Sequence, residues 1–235
     1  MTTRKADWLV PTSLILLSLV PSVAGGVRVA ELARGAEITP ANERFFALPL
    51  PVVLHIVGAT AFCVLGAFQF SPGIRRRHRG WHRWSGRVLV PAGLVAALTG
   101  LWMALGYPRP PGDGVLLTPL RLVFGSAMAA AIVLGFLAVR RRDFAAHRAW
   151  MIRGYAIGLG AGTQVFTHLP WVVAGVAPGE VTRAGLMALG WVVNVVFAEW
   201  VIRRKPASVR GGRAVVGASV GDSGGGRGDG VGSAG

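Results

Sequence analysis

Apolar residues fall in six long stretches that are nearly free of charge, separated by shorter charged segments. The stretches are residues 8–27, 45–74, 88–107, 122–139, 154–178 and 184–202. Each approaches or exceeds the roughly twenty residues that an α-helix needs to cross a hydrocarbon core of about 30 Å. The pattern therefore predicts an all-α, polytopic membrane protein with six transmembrane helices. Pro170 interrupts the fifth stretch, and Glu199 enters the sixth, where a salt bridge to Arg203 is expected.

Composition supports this class. Hydrophobic residues make up 52% of the 235-residue chain and charged residues 15%, whereas a soluble domain carries about a quarter charged residues. The mean hydropathy is +0.53. These values exclude a soluble enzyme and a wholly disordered chain. The single cysteine, Cys63, excludes an internal disulfide and a cysteine-based metal cluster.

The basic residues that give the net charge of +15 lie between the apolar spans rather than on one face of a soluble domain. With the amino terminus inside, nineteen of the 25 Lys and Arg residues lie in the inner segments. Because positive residues flanking spans are retained in the cytoplasm, both termini and the segments 75–87 and 140–153 are predicted to be cytoplasmic. We call these segments the predicted inner end, and the opposite loops the predicted outer end. The expected location is the bacterial cytoplasmic membrane, with anionic headgroups rather than nucleic acid meeting the basic residues.

The predicted organisation has four parts. Residues 1–44 hold the first helix and an outer loop, residues 45–178 a core bundle of two hairpins (45–107 and 118–178), residues 179–205 the sixth helix, and residues 206–235 a disordered Gly-, Ser- and Arg-rich cytoplasmic tail. Residues 1–24 also resemble a secretory signal. The apolar run continues to Val27, which favours an uncleaved helix.

The two inner segments repeat one another. The triplet 75–77 precedes His82-Arg83 by the same spacing as the triplet 140–142 precedes His147-Arg148, an offset of 65 residues. Helices two to five are therefore predicted to form a four-helix bundle of two parallel repeats, related by an axis along the membrane normal. His82 and His147 then face each other at one depth.

Polar and small residues within the spans indicate which faces are buried. His55, Phe62 and Gln69 share one face of the second helix at heptad spacing, and this face is expected to point into the bundle. Gly154, Gly158 and Gly162 form the four-residue repeat by which helices approach closely. That face of the fifth helix is predicted to pack against other helices, and a homo- or hetero-oligomer through it is a further hypothesis.

Facing histidines in a helical bundle are the arrangement that ligates a b-type haem. His82 and His147 are the candidate inner ligands, and the arginines that would neutralise haem propionates are Arg83, Arg87, Arg148 and Arg153. His55 and His168 form a weaker candidate pair near the outer end. The alternative for His82 and His147 is contact with headgroup phosphate. No metal other than haem iron is expected, because two histidines without an inward carboxylate leave zinc short of ligands.

A set of motifs resembles a known family. They are His55, Gly58-Ala59, Gln69-Phe70, Arg75, the run His82-Arg83-Trp84-Ser85-Gly86-Arg87, and the run His147-Arg148-Ala149-Trp150-Met151-Ile152-Arg153. Together they resemble the bacterial multi-pass membrane family known as domain of unknown function 2306. The resemblance covers residues 55–164 and implies an integral membrane protein with no established activity. His168 does not match the pattern. The layout is also similar to transmembrane two-haem b-type cytochromes, as architecture alone.

Three functions remain open at this point: a haem-binding electron-transfer protein, a carrier or channel for a small solute, and a non-catalytic accessory subunit. In the carrier or channel, the Arg-rich inner mouth attracts anions, and the inward-facing His55 and Gln69 line the path. Whether the chain is an enzyme is left undecided.

Absorption separates the first hypothesis from the others. If His82 and His147 ligate haem, protein purified in detergent from haem-replete cells should show a Soret band. Replacing either histidine with alanine should remove the band, while His78→Ala should keep it, because His78 is not a predicted ligand. Protein without a Soret band would contradict haem binding.

Overall fold

The computed structural model describes residues 2–71, 73, 77–110 and 112–204, and all regular secondary structure in those residues is helical. The helices are α1 (Thr2–Arg34), α2 (Glu43–Ala47), α3 (Pro49–Gln69), α4 (Arg79–Gly106), α5 (Leu117–Arg140), α6 (Phe144–Gly158), α7 (Gly160–Ala174) and α8 (Glu180–Arg203). Arg75, Arg76 and the predicted tail at 206–235 lie outside the described residues.

Five of the described helices are long and apolar enough to cross a membrane. These segments are Trp8–Arg34, Pro49–Gln69, Gly80–Gly106, Leu117–Arg140 and Glu180–Arg203. The surfaces of these helices carry large apolar side chains that are exposed, such as Leu105 and Val123. The exposed tryptophans lie close to helix ends, where indole rings meet the boundary between lipid and water: Trp8, Trp81, Trp84, Trp102 and Trp200. The chain is therefore an all-helical, multi-pass membrane protein, as predicted.

The fifth predicted stretch is not one helix. It contains the end of α6 and the whole of α7, two helices of 15 residues each that meet at Leu159. At the junction the amide of Gly162 donates to the carbonyl of Leu159, three residues back, instead of to that of Gly158. Two glycines flank Leu159, and glycine is a weak helix former. The six-helix count therefore needs α6 and α7 to act together as one crossing.

The helices assemble around α3. It packs against α1, α4 and α6, while α5 packs against α4 and α6, and α8 against α6 and α7. Phe62 on α3 is fully buried at the centre. A β-carbon at Gly93 would lie 2.6 Å from the Phe62 ring, and one at Gly158 would lie 3.0 Å from it. Both glycines are therefore required for Phe62 to fit.

The glycine repeat of the fifth stretch packs within the chain. A β-carbon at Gly154 would lie 3.2 Å from Ile132 of α5, and one at Gly162 would overlap the backbone of Leu17 in α1. With Gly158 against Phe62, each of the three glycines faces a different helix. The predicted packing role is confirmed, while an oligomer through this face stays a prediction.

The starts of α4 and α6 preserve the spacing of the sequence repeat. His82 and His147 are each the fourth residue of their helix, and their amides donate to His78 and Asp143 at 3.1 and 3.0 Å. The hairpins then diverge, because α4 runs for 28 residues and α6 for 15. A parallel symmetry over whole hairpins stays a prediction.

The contact between α3 and α4 gives a test of this packing. A β-carbon at Gly58 would lie 2.9 Å from the carbonyl oxygen of Ala92, a backbone atom that cannot turn aside. Gly58→Ala should therefore lower the free energy of unfolding by on the order of 1–2 kcal/mol in a detergent unfolding titration, as overpacking outweighs the gain in helix propensity. Gly26→Ala is the matched control, since nothing lies within 4 Å of its β-carbon, and it should be neutral or slightly stabilising. Equal stabilities for the two variants would contradict the close crossing.

Candidate ligand-binding cavity

A cavity of about 350 Å³ extends from the predicted outer end toward the middle of the bundle. It is bounded by α2, α3, α4, α5, α7 and α8, and by the end of α6. Aromatic rings and thioethers supply much of its wall: Phe45, Phe62, Phe124, Trp191, Met103, Met128 and Met187. Phe124 and Trp191 stack with ring centroids 4.7 Å apart. The volume lies at the small end of the range of about 300–1,000 Å³ for small-molecule sites.

A buried carboxylate organises the mouth of the cavity. The side chain of Asp113 is 1% exposed, and its two oxygens lie 2.7 Å from Arg121 of α5 and 2.8 Å from Arg183 of α8. Two guanidinium groups offset the cost of burying this one carboxylate. The ion pair between Asp113 and Arg183 also connects the loop between α4 and α5 to α8. Of the charged residues that line the cavity, three are arginines and one is Asp113.

Arg44 is a partly buried arginine of the mouth that differs from Arg121 in its partners. Its guanidinium stacks on Phe45 with its carbon 4.3 Å from the ring centroid, and among the described residues it has no carboxylate within salt-bridge distance. Burial lowers the pKa of Arg44, and nearby Arg121 and Arg28 lower it further, while Asp113 acts in the opposite direction. Arg44 therefore carries a positive charge that the described residues leave without a direct counter-ion.

Tyr107 supports the same rim. Its hydroxyl donates to the carbonyl of Leu48 at 2.6 Å, which ties the end of α4 to the start of α3. Its ring packs edge-on against Phe45 and Trp102, with centroids 5.5 and 5.3 Å away. Burial raises the pKa of Tyr107, so the phenol stays protonated and keeps donating.

His55 presents one ring nitrogen to the cavity. Its Nδ1 lies 2.8 Å from the carbonyl oxygen of Ala96 in α4, and a carbonyl only accepts, so Nδ1 is the protonated nitrogen. In a neutral ring, Nε2 is then a hydrogen-bond acceptor, and no described residue donates a hydrogen bond to it. Gly100 makes room for the ring, since a β-carbon there would lie 3.2 Å from it. The inward face predicted for His55 is confirmed.

His168 does not join His55 in this cavity. Its Nδ1 bonds to the carbonyl of Gln164 in its own helix at 2.8 Å, with Thr167 close by. Gln164 is instead the polar residue that α7 contributes to the wall, and its Nε2 donates to the carbonyl of Met187 at 3.0 Å. The structure therefore places His55 and Gln164 in the wall of one cavity, and the predicted outer haem pair of His55 and His168 stays a hypothesis without a shared cavity.

The junction between α6 and α7 forms part of the cavity wall, through Ile157, Gly158 and Ala161. Two carbonyls at the end of α6 are hydrogen-bonded by other helices: Ala156 accepts from Asn194 Nδ2 at 3.0 Å, and Gly158 accepts from Cys63 Sγ at 3.8 Å.

Asn194 also bonds to α7. Its Oδ1 accepts from the Thr163 hydroxyl at 2.7 Å. One side chain of α8 thus holds both sides of the junction, in a region where lipid offers no replacement hydrogen bond. We call Asn194, Cys63 and Thr163 the junction clasp.

The predicted inner haem residues lie elsewhere. Neither His82 nor His147 lines this cavity. Nδ1 of His147 lies 2.8 Å from the carbonyl of Gly135 in α5, which leaves Nε2 as an acceptor. The backbone carbonyl of His82 accepts from Gln69, whose amide also donates to Ser85 at 2.5 Å. Gln69 therefore joins α3 to α4 rather than lining a path.

The surrounding residues of the predicted inner end are largely engaged or exposed. Arg153 forms a two-point contact with Glu199 at 2.5 and 3.1 Å, and Arg203 approaches Glu199 at 3.8 Å. The pairing expected between Glu199 and Arg203 is therefore secondary to the one with Arg153. The other predicted propionate partners, Arg83, Arg87 and Arg148, are exposed.

The interior next to the predicted inner end is filled by rings. Tyr155 of α6 donates its hydroxyl to the carbonyl of Cys63 at 2.6 Å, and its ring centroid lies 4.7 Å from that of Phe70. A β-carbon at Gly66 would overlap the Tyr155 ring. Tyr155 therefore fills the space beside Gly66, so this space is not a slot for a flat cofactor.

Sequence reasoning missed most of the cavity. Asp113 pairs with arginines of two different helices, and such pairs leave no local pattern in the sequence. Nothing in the sequence distinguishes Arg44 from the other arginines of the predicted outer segments. Asn194 carried a usable signal, because an uncharged polar residue in the middle of an apolar span is expected to face other helices.

The fold and the cavity define a polytopic helical membrane protein with a cavity inside its bundle. Residues 52–202 match the sequence profile of the family described as predicted membrane protein (DUF2306). The match covers more than half of the chain, so the protein belongs to this family, in agreement with the resemblance seen in its motifs. No curated protein and no solved structure matches it significantly.

The junction clasp yields a prediction of stability. Asn194→Leu removes one donor and one acceptor inside the bundle, and side-chain hydrogen bonds between membrane helices contribute about 0.6 kcal/mol each on average and up to about 1.7. The free energy of unfolding of the full chain should therefore fall by about 1–2 kcal/mol in a detergent titration. Val193→Leu, at an exposed neighbouring position, is the control and should leave stability unchanged. An unaltered midpoint for Asn194→Leu would show that the clasp does not stabilise the fold.

Proposed function

We propose that this protein is a carrier for a small amphipathic solute of negative charge, which binds in the cavity between α3, α4, α5, α7 and α8. The observation that carries the proposal is the position of the helix junction at Leu159, in the wall of a cavity that reaches the middle of the bundle. Membrane carriers commonly place their substrate at interrupted helices near the bilayer midplane, because irregular backbone is tolerated there only inside protein or beside a cavity.

The charges and acceptors of the cavity support an amphipathic solute. Arginines outnumber acids along the lining, which favours an anion at the mouth. Deeper in, Nε2 of His55 offers an acceptor within a wall of rings and thioethers, so a polar atom of the solute finds a partner next to apolar surface.

The junction gives the carrier a place to move. The amide of Gly162 already bonds to Leu159 in place of Gly158, and the carbonyls of Ala156 and Gly158 are held by side chains rather than by the helix itself. A change of angle between α6 and α7 therefore costs side-chain hydrogen bonds and leaves both helices intact. We take this junction as the hinge that exposes the cavity to the second side.

Access from both sides of the membrane tests the carrier. In a Cys63→Ser background, a cysteine at Ala59 places a thiol on the cavity wall. The impermeant anion 2-sulfonatoethyl methanethiosulfonate should modify it when applied outside intact cells and, in separate samples, to inside-out vesicles. Modification from each side should be at least about tenfold faster than at a cysteine replacing Val193, which faces outward in the middle of α8.

Reaction of the Ala59→Cys thiol from one side alone would contradict a carrier. It would indicate a binding protein whose cavity opens to one side of the membrane. Equal, slow reaction at both positions would contradict an accessible cavity altogether.

Haem binding between His82 and His147 is the second candidate function. The observation that favours it is the hydrogen bond from Nδ1 of His147 to the carbonyl of Gly135, which orients the ring and leaves Nε2 to bind a ligand. Metal-binding histidines are commonly oriented in this way by a hydrogen bond from their other ring nitrogen. The equal positions of His82 and His147 in their helices add support. The engaged Arg153 and the Tyr155 ring count against it, and the Soret measurement described above decides between the two candidates.

A further inference from the structure

The cavity also indicates which chemical class of solute it takes, an inference that rests on the proposed binding role. Arg44 is the starting point. Its guanidinium lines the cavity, is partly buried and is held against Phe45 at 4.3 Å, yet no described carboxylate pairs with it. A guanidinium that is partly withdrawn from water and has no direct counter-ion is a favourable partner for an anion that enters the cavity.

The neighbouring acid is not available to Arg44 as a direct partner. Both oxygens of Asp113 are engaged, one by Arg121 at 2.7 Å and one by Arg183 at 2.8 Å. Glu180 lies beside Gly114, and Glu43 points to solvent. Arg28, the other cation on Phe45, is paired with Glu31 at 2.6 Å. Of the other arginines that line the cavity, Arg121 is paired with Asp113 and Arg109 is exposed, so Arg44 is the partly buried arginine of the mouth whose charge a ligand can neutralise.

The rest of the wall selects the body of the ligand. Phe124 and Trp191 stack on each other with ring centroids 4.7 Å apart and are partly exposed, so they form the aromatic surface of the deeper wall, whereas the Phe62 ring is 1% exposed and enclosed by its neighbours. Rings and thioethers prefer flat aromatic partners. The volume of about 350 Å³ suits one or two fused rings.

We infer that the cavity binds a flat aromatic acid, with its carboxylate on Arg44 and its ring against the stacked pair of Phe124 and Trp191. Arg44 is then the residue that determines specificity for an anion. The carboxylate and the guanidinium make charge-assisted hydrogen bonds, and the planar guanidinium can engage both oxygens.

Thermal unfolding of the full chain in a non-ionic detergent tests this inference, with 2-naphthoate as the probe and 2-naphthylmethanol as its uncharged match. At neutral pH, 2-naphthoate should raise the unfolding temperature of the wild type and bind at least about tenfold more tightly than the alcohol, since charge-assisted hydrogen bonds exceed neutral ones. Arg44→Gln should reduce this preference to near unity. Arg34→Gln, which removes an exposed arginine of the same outer segment, should retain it.

The wild-type comparison stands even if Arg44→Gln fails to fold. Equal binding of acid and alcohol by the wild type, no effect of 2-naphthoate, or full preference in Arg44→Gln would each overturn the inference. One-sided access of the thiol reagent would overturn the carrier while leaving this preference intact, so the two failures are distinguishable.

Discussion

Within a bilayer, a backbone carbonyl that loses its helical partner has no water to replace it, and the architecture around Leu159 follows from that constraint. The chain changes from α6 to α7 without a loop, and the carbonyls of Ala156 and Gly158 are served by Asn194 and Cys63. Those donors come from α8 and α3. The junction therefore exists only where three helices meet, and this meeting point is also where the cavity ends.

Small residues make that meeting point possible. Gly93 and Gly158 admit the Phe62 ring from two sides, and Gly162 brings α7 against the backbone of α1. Association in lipid gains little from the hydrophobic effect, so close packing of this kind supplies much of the stability.

Much of the fold could be predicted from the sequence, because span length, glycine spacing and the inward stripe of His55 are local patterns. The packing of Gly154, Gly158 and Gly162 and the starts of α4 and α6 follow from the same kind of signal. The cavity could not be predicted in this way. Its mouth depends on the ion pairs of Asp113 with Arg121 and Arg183, and on the lack of a described carboxylate beside Arg44. Both are properties of the folded chain. The interruption at Leu159 was hidden because an apolar run reads the same whether its helix is continuous or not.

Cys63 is the sole cysteine of the sequence, and its sulfur donates to the carbonyl of Gly158 at 3.8 Å from the wall of the cavity. The residue is 7% exposed, and a thiol buried in apolar surroundings is a poor nucleophile, so Cys63 serves the junction as a hydrogen-bond donor and reacts slowly with electrophiles. A cysteine introduced at an accessible position of the chain therefore reports on that position almost alone, even with Cys63 in place.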